Sequence, residues 1–399
     1  MRKTLLFTAL ALGIASGPLL AQATDAARAL AQDAIIVDTH IDAPGMLMDG
    51  WLDLGDDAPG REFDWPKARA GGLDVAWMSI YTSAGDDASG AAWDVANRQI
   101  DAVRALASQH PDKFGLMLSP REVQAREGGR VLLPMGMENG APLGDDLSRV
   151  AFFFERGIRY ITFSHSASNR LSDASYGVER KWNGLSPFGR EVIAEMNRLG
   201  MMVDVSHLSD QAAMQAIEAS TVPVIVSHSA FRHFTPGFER NISDEVAKAV
   251  AARGGVIQIP FGTAFVNPAA AANMQTKFRE REAIRQRNER AEAEGRPLED
   301  IAAFNRAFDA ANPTPQTPLS AVIEQIEYGR ELVGIDHIGL GSDFDGVGGE
   351  LADGLRTVAD FPNLIAALQA RGWSESDLRK LLGGNFLRTW TAIEDGARR

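Results

Sequence analysis

Short apolar runs alternate along this chain with segments of helical periodicity, and this alternation limits the fold more than any other feature. The runs are rich in β-branched residues and have the length of strands. The eight predicted strands are residues 34–40, 74–81, 131–138, 160–165, 201–207, 223–228, 255–261 and 337–343. Strands that alternate with helices form a parallel sheet, and eight such units predict an α/β fold of the (β/α)8 TIM-barrel type.

One segment departs from this alternation. Residues 267–317 follow the seventh predicted strand and contain a run of charged helix formers from Lys277 to Arg290. A nucleic-acid-binding patch needs a field of one sign, but glutamates are interleaved with the arginines there. We therefore expect an exposed helical insertion, either a solvated face or a lid over the strand ends. Residues 24–399 show no linker-like change in composition and are predicted to form a single barrel domain.

The first 23 residues are organised like a secretory signal peptide. Arg2 and Lys3 precede an apolar run that is too short to span a bilayer, and the small-residue site Ala21-Gln-Ala23 follows it. A leading helix of a cytosolic domain is the alternative. The coincidence of all three features favours export, with a mature chain that begins near Thr24.

Composition excludes several classes of partner and site. The formal net charge of −13 disfavours nucleic acids and anionic membrane surfaces as partners. The chain has no cysteine, which excludes disulfides, thiolate zinc sites and cysteine nucleophiles. A lipid-modified cysteine at the cleavage site is also excluded, so we expect an exported, periplasmic protein.

Metal-binding side chains occur at the carboxyl ends of six of the eight predicted strands. They are His40 and Asp42 on the first strand, Glu138 on the third, His165 on the fourth, His207 on the fifth, His228 on the sixth and Asp343 on the eighth. In a barrel of this type all carboxyl ends meet on one face, where the reactive residues lie. A single histidine or acid after an apolar run is usually a hydrogen-bonded loop residue. Metal-binding side chains at the ends of six strands together indicate a metal site.

The donor set predicts two cations rather than one, because it has too many ligands for one tetrahedral ion. Imidazole and carboxylate donors without thiolate suit zinc, with manganese or cobalt as substitutes. Glu138 is the natural bridge, with His40 and Asp42 on one ion and His207 and His228 on the other. A water shared by two such ions loses a proton near neutral pH and becomes the nucleophile.

The remaining polar residues of these strand ends have candidate roles in proton transfer and orientation. Asp343 is placed to receive the proton and hand it to a leaving group, and Asp345 is an alternative further into the loop. His165 is not needed as a ligand and is better used to donate to a developing oxyanion. Asp38 and Asp204 are either partners of the ligands or plain polar residues of the strands.

Several motifs in a fixed order resemble the renal dipeptidase (membrane dipeptidase) family, which comprises binuclear zinc enzymes of the amidohydrolase type on a distorted (β/α)8 barrel. The resemblance covers nearly the whole predicted mature chain. It rests on Val-Asp-Thr-His-Ile-Asp-Ala-Pro, Gly-Met-Glu-Asn-Gly, Thr-Phe-Ser-His-Ser, Val-Asp-Val-Ser-His-Leu-Ser, Pro-Val-Ile-Val-Ser-His-Ser, Arg-Asn-Ile-Ser-Asp, Gly-Ser-Asp-Phe-Asp-Gly and Leu-Leu-Gly-Gly-Asn-Phe-Leu-Arg.

The resemblance implies the same ligands, with His165 as a substrate-polarising residue and Asp343 as the proton shuttle. It also assigns Arg240, which composition would leave as a surface arginine, to the substrate's terminal carboxylate, a task for a planar two-pronged donor. The chain departs from the family at Thr39 and Ile41, where glycine and asparagine are usual. The disulfides and lipid-anchored tail of mammalian members are absent, so we expect no stable membrane anchor.

These observations together predict zinc-dependent hydrolysis of dipeptides, including those with a C-terminal D-residue as the family implies. The metal-bridging hydroxide would attack the peptide carbonyl, and a homodimer is a candidate assembly. One alternative is another metal hydrolase of the same barrel, a lactonase or phosphotriesterase. Those enzymes commonly use a carboxylated lysine as the bridge, and no lysine lies at these strand ends. The other is an exported metal- or peptide-binding protein without turnover, which would need no proton shuttle.

Overall fold

The structure is a computed structural model that describes residues 23–126, 128–177 and 180–397. The predicted signal peptide lies outside the described residues except for Ala23. The strands are β1 (Ile36–Ile41), β2 (Leu73–Tyr81), β3 (Phe114–Leu116), β4 (Val131–Leu133), β5 (Met135–Glu138), β6 (Ile158–Thr162), β7 (Met202–Asp204), β8 (Ile225–Val226), β9 (Val256–Ile259) and β10 (Ile338–Leu340).

Helices follow most of the strands and surround the sheet. They are α1 (Asp25–Asp33), α2 (Ala43–Asp49), α3 (Trp65–Gly71), α4 (Ala84–Ser89), α5 (Ala92–Gln109), α6 (Ser148–Arg156), α7 (Pro187–Leu199), α8 (Asp210–Ala219), α9 (Asp244–Ala252), α10 (Thr263–Val266), α11 (Pro268–Ala293), α12 (Ile301–Ala311), α13 (Leu319–Val333), α14 (Phe361–Ala370), α15 (Glu375–Arg379) and α16 (Asn385–Ala397). No helix of the described residues is long and apolar enough to cross a membrane.

Eight strands form a closed parallel barrel, which confirms the predicted fold. Their order is β1-β2-β5-β6-β7-β8-β9-β10, and every pair of strands is parallel. The barrel closes where β1 meets the chain after β10: Asp343 N donates to His40 O at 3.1 Å and Asp42 N donates to Phe344 O at 2.8 Å. The short strands β3 and β4 extend the sheet beside β2.

Except for β2, which begins one residue earlier than predicted, the observed barrel strands are shorter than predicted, and the third one is divided. Pro134 separates β4 from β5 because proline has no backbone N–H for the ladder, although its carbonyl still accepts from Met78 N at 2.9 Å. Strand β3 was not predicted. His165, His207, His228 and Asp343 lie in the loops just after their strands rather than within them.

Alternate strand residues divide between two cores, as the period of two requires. One core contains Val75, Trp77 and Tyr160 of the strands together with Phe386 and Trp390 of α16. The Trp77 ring lies 5.1 Å from the ring of Tyr160 and 4.9 Å from that of Trp390. Removing Trp390 would cost about 3–5 kcal/mol of stability by the usual cost of large-to-small core changes. This aromatic core supports the strands from which the site residues project.

Tight turns join the surrounding helices to the strands. Gly72 ends α3 with a φ of 77° and leads directly into β2. A Cβ there would overlap with the carbonyl of Ala31 in α1, so both the left-handed backbone and the close approach require glycine. Segment 267–317 contains the two helices α11 and α12.

Candidate metal centre and active site

The structure brings the predicted ligands together at the carboxyl ends of the barrel strands. Possible ligand atoms lie within 4.8 Å of one another in three overlapping groups. The groups are His40, Glu138 and His228; Glu138, His165 and His207; and His40, Asp42 and Asp343. All six strand ends named by the sequence therefore contribute to one cluster.

Glu138, the last residue of β5, lies at the centre of this cluster with its two oxygens facing different histidines. Its Oε2 is 3.4 Å from His40 Nε2, and its Oε1 is 3.0 Å from His207 Nε2 and 3.4 Å from His228 Nε2. His165 Nε2 lies 3.5 Å from Oε1. A carboxylate with one oxygen toward each set of histidines is the arrangement of a bridging ligand.

Hydrogen bonds on the far side of two histidines orient their Nε2 atoms toward Glu138. His40 Nδ1 lies 3.1 Å from Tyr160 Oη, which donates to Thr39 O. His228 Nδ1 lies 2.8 Å from Ser227 Oγ. With a proton on Nδ1, each ring presents a lone pair on Nε2, which is what a metal ion binds. His40 Nε2 is buried and has no hydrogen-bond partner.

Two buried aspartates hold the backbone around these histidines. Asp204 accepts from Ser227 Oγ at 2.6 Å and from Ser227 N at 2.9 Å. Asp38 accepts from His40 N at 3.2 Å and from Ser342 N at 2.9 Å. The sequence left open whether these aspartates support the predicted ligands or only add polarity, and their contacts show that they hold the backbone at His40 and at Ser227, the residue before His228.

The electrostatics of the site favour neutral His207 and His228 and a positive charge beside Glu138. Burial lowers the pKa of His207 and of His228 well below the usual value. Burial alone would raise the pKa of Glu138, but His40 and His165 hold it well below its usual range. Burial likewise lowers the pKa of His40, but Tyr160, Glu138 and other neighbours outweigh it and raise that pKa. Glu138 is therefore an ionised carboxylate that attracts positive charge.

The pKa of Asp343 is shifted in the opposite direction from that of Glu138. Burial and the nearby carboxylate of Asp42 raise its pKa well above the usual value, so that this carboxyl holds a proton readily. Its backbone has a φ of 67°, as His207 has 65°. Such left-handed residues other than glycine are strained and are often found at functional sites.

Asp345, the alternative proton carrier, has other partners. Its Oδ1 accepts from Glu62 N at 2.9 Å and its Oδ2 from Phe63 N at 3.3 Å. Burial raises the pKa of Asp345 as well, whereas these backbone hydrogen bonds oppose the rise. Asp345 therefore ties the loop after β10 to the loop before α3.

The cluster forms the floor of a cavity of about 630 Å³. Ligand pockets typically have volumes of roughly 300–1,000 Å³. Asp42, Glu138, His165, His207 and Asp343 supply its polar floor. The walls are mainly apolar and include Met46, Tyr81, Val95, Phe265, Met274 and Phe278.

Comparison with known proteins identifies the family of this chain. Residues 24–399 match the model of the family described as membrane dipeptidase (Peptidase family M19). The chain belongs to this membrane dipeptidase family. It is similar to dipeptidase tcpJ of Claviceps purpurea, with 29% identity over 75% of this chain. That match spans 60% of the fungal protein, so the chain corresponds to less than two thirds of that relative.

Two solved structures have the same fold. The probable dipeptidase PvdM of Pseudomonas aeruginosa is 27% identical, with a TM-score of 0.78 over 93% of this chain and 98% of that one. A metallopeptidase of Rhodobacter sphaeroides was solved with a phosphinate mimic of the dipeptide L-Ala-D-Ala. It is 22% identical, with a TM-score of 0.73 over 90% of this chain and 100% of that one.

Arg240, which the membrane dipeptidase resemblance picked out, is buried close to the cluster. It is 1% exposed and donates to Ser229 Oγ at 2.6 Å and to His228 O at 2.9 Å. Its Nε has no partner. The guanidinium lies 4.8 Å from the ring of Phe265, a residue of the cavity wall. Arg240 thus lies behind the wall rather than on the open surface of the cavity.

Sequence analysis missed several residues that complete this site. Tyr160 and Ser227 contact the Nδ1 atoms of His40 and His228, yet in the sequence both look like ordinary strand or loop residues. Gly346 lies so close to the floor that a Cβ would overlap with Asp42 Oδ2 and Asp343 Oδ1. In the sequence, the only indication that Gly346 lies close to these carboxylates is that it follows Asp343 by three residues.

Proposed function

We propose that this protein is a metal-dependent dipeptidase. The observation that carries the proposal is the position of Glu138, with one carboxylate oxygen toward His40 and the other toward His207 and His228. Membership of the membrane dipeptidase family supports the same activity. The cavity above this floor has a volume that suits a small substrate.

Two zinc ions are the cofactors that suit this donor set, with manganese or cobalt as substitutes. His40, Asp42 and Glu138 would hold one ion, and Glu138, His207 and His228 the other. A pair of cations at such ligands supplies a deprotonated water as nucleophile near neutral pH. The orphaned Nε2 of His40 and the ionised Glu138 support this assignment.

The residues around the ligands have three separate tasks in peptide hydrolysis. His165, whose side chain is 20% exposed to the cavity, donates to the carbonyl oxygen as negative charge develops there. Asp343 takes up a proton from the nucleophile and delivers it to the departing amine, for which a raised pKa is suitable. Arg240, whose buried Nε has no hydrogen-bond partner, pairs with the free carboxylate of a substrate that reaches past Phe265.

Dipeptides with a D-residue at the second position belong to the proposed substrate range. The support is the Rhodobacter metallopeptidase, which binds a mimic of L-Ala-D-Ala on the same fold. We also propose export to a periplasm, with cleavage near Thr24. N-terminal sequencing of the protein isolated from its host tests the cleavage, and an intact Met1 would refute it.

The decisive experiment is amino-acid release from the four stereoisomers of Ala-Ala. The assay is run on the purified protein, then after chelation, and again after zinc is restored. Release that disappears with the chelator and returns with zinc is expected, and the L,D to L,L ratio then defines the stereochemical preference. Suppose that the metal-replete protein releases no amino acid from any isomer but hydrolyses a lactone or a phosphotriester. The dipeptidase proposal would then be refuted in favour of that hydrolase activity.

A further inference from the structure

Helix α11 supplies two side chains to the cavity although most of the helix is charged. Met274 and Phe278 are four residues apart and therefore lie on the same face of the helix. Of the described residues of α11, only these two line the cavity. The insertion thus presents an apolar surface to the site and a charged surface elsewhere.

Tyr176 connects this surface to the catalytic floor. The Phe278 ring stacks on the Tyr176 ring with centroids 4.0 Å apart and an angle of 11° between the planes. The Tyr176 hydroxyl donates to Met274 Sδ at 3.4 Å. On its other side, the Tyr176 ring lies 6.1 Å from the ring of His207. We call Tyr176, Met274 and Phe278 the aromatic wall.

The aromatic wall also adjoins the residue proposed to bind the substrate carboxylate. Burial raises the pKa of the Tyr176 hydroxyl, and the nearby positive charge of Arg240 opposes that rise. Phe265, against which Arg240 packs, lines the same cavity. In a dipeptide whose carboxylate pairs with Arg240, the C-terminal residue is the one nearest to the wall.

We propose that Phe278 and Met274 of the insertion make this enzyme prefer dipeptides with an apolar side chain on the C-terminal residue. The inference rests on the proposed dipeptidase function. A methyl or larger apolar group gains contact with the part of the Phe278 ring that lines the cavity and with Met274, whereas a polar side chain loses water there. Differences of one or a few methylenes in such a pocket change specificity roughly 10-fold or more.

The test is the ratio of kcat/KM for Ala-Leu to that for Ala-Ala, with Ala-Asn as an uncharged polar comparison of similar size, because Arg281 lies 5.4 Å from the Phe278 ring and would attract an anionic side chain. Each substrate is used in the stereochemistry that the wild type hydrolyses best. We expect the wild type to favour Ala-Leu and to discriminate against Ala-Asn. In Phe278→Ala the Leu to Ala ratio should fall roughly 10-fold, mainly through a higher KM for Ala-Leu.

Two further variants distinguish loss of the wall from loss of structure. Phe278→Leu keeps an apolar side chain and should restore most of the ratio. Phe308→Ala removes a ring from α12 that does not line the cavity, and it should leave the ratio at the wild-type value. Thermal unfolding of each variant shows whether the insertion remains folded.

The outcomes separate this inference from the function on which it rests. Hydrolysis with a Leu to Ala ratio that is the same in wild type, Phe278→Ala and Phe308→Ala would overturn the role of the wall and leave the dipeptidase intact. An equal fall in Phe308→Ala would also overturn it, because the effect would then belong to the whole insertion. A wild type that hydrolyses no dipeptide refutes the proposed function, and the inference with it.

Discussion

The Nε2 atoms of His207 and His228 lie 2.9 Å apart and both face Oε1 of Glu138. Burial holds the pKa of both rings well below the usual value, so two neutral imidazoles direct ring nitrogens at one point. Lone pairs in such contact repel each other unless a proton or a cation lies between them. A cation bound by both rings would remove this repulsion, as the proposed metal site requires.

Ser227 should contribute to metal affinity through His228. Replacing Ser227 with alanine removes the hydroxyl 2.8 Å from His228 Nδ1 and frees the ring to rotate. We expect zinc affinity to fall roughly 10–100-fold, the usual effect of losing a partner of a metal ligand. Competition with a chromophoric chelator measures it. Ser220→Ala, a buried serine bonded to Asn197, is the control, and equal affinities in the two variants would refute the role.

Asp343 should be needed for turnover and not for metal content. Asp343→Asn keeps the shape of the side chain but cannot carry the proton, so kcat should fall about 10²–10⁴-fold. Metal content by mass spectrometry should remain that of the wild type. The Asp345→Asn variant should retain turnover within a few-fold. A variant of Asp343 that loses its metal would make Asp343 a ligand, and an unchanged kcat would remove it from the mechanism.

Arg240 should act on the substrate carboxylate. Arg240→Ala should raise KM for a free dipeptide by roughly 10–100-fold, because a hydrogen bond to a charged group is worth about 1.5–3 kcal/mol. The amidated dipeptide has no carboxylate, and its kinetics should change little. Arg240→Lys keeps the charge without the two-pronged geometry and should be intermediate. Equal losses on both substrates would mean that Arg240 only supports the backbone at His228.

Gly346 should tolerate no side chain. A Cβ at this position would overlap with the carboxylates of Asp42 and Asp343, so Gly346→Ala should displace one of them and reduce turnover at least roughly 10-fold. Gly50→Ala is the matched control, because nothing lies within 4 Å of a Cβ there. Circular dichroism should report folded protein in both cases. Full activity of Gly346→Ala would show that the loop can move away from the floor.

Asp74 should make stability depend on pH at a distance from the active site. Burial raises its pKa from 3.8 to about 6, although Ile36 N and Arg126 lower it in part. The folded protein then holds a proton that the unfolded chain has released, so this group makes stability fall as pH rises through that window. Asp74→Asn removes the dependence.

Urea denaturation of the chelated protein measures this effect. From about pH 4 to about pH 7, Asp74→Asn should gain on the order of 2 kcal/mol relative to the wild type. The exposed Asp57→Asn controls for the change in net charge. A difference between wild type and Asp74→Asn that stays constant across this range would contradict the prediction.

Local pattern in the sequence determined the barrel and the positions of its polar strand ends. Apolar runs of strand length that alternate with helices allow few folds, and parallel strands bring their carboxyl ends to one face. For that reason the sequence alone predicts that His40, Glu138 and His228 form a cluster, although they are far apart in the chain. The exact ends of the strands were not recognisable, because loop hydrogen bonds such as that from Asp343 N to His40 O decide where pairing stops.

Only the tertiary structure decided which side chains orient and enclose that cluster. Tyr160 reaches His40 across 120 residues of sequence, and Phe278 of a charged insertion meets Tyr176 in a stack. Neither contact leaves a periodic signal, since each depends on the packing of one side chain against a distant element. The sequence therefore determined the chemistry available at the barrel mouth, and long-range packing determined the geometry and the walls within which that chemistry takes place.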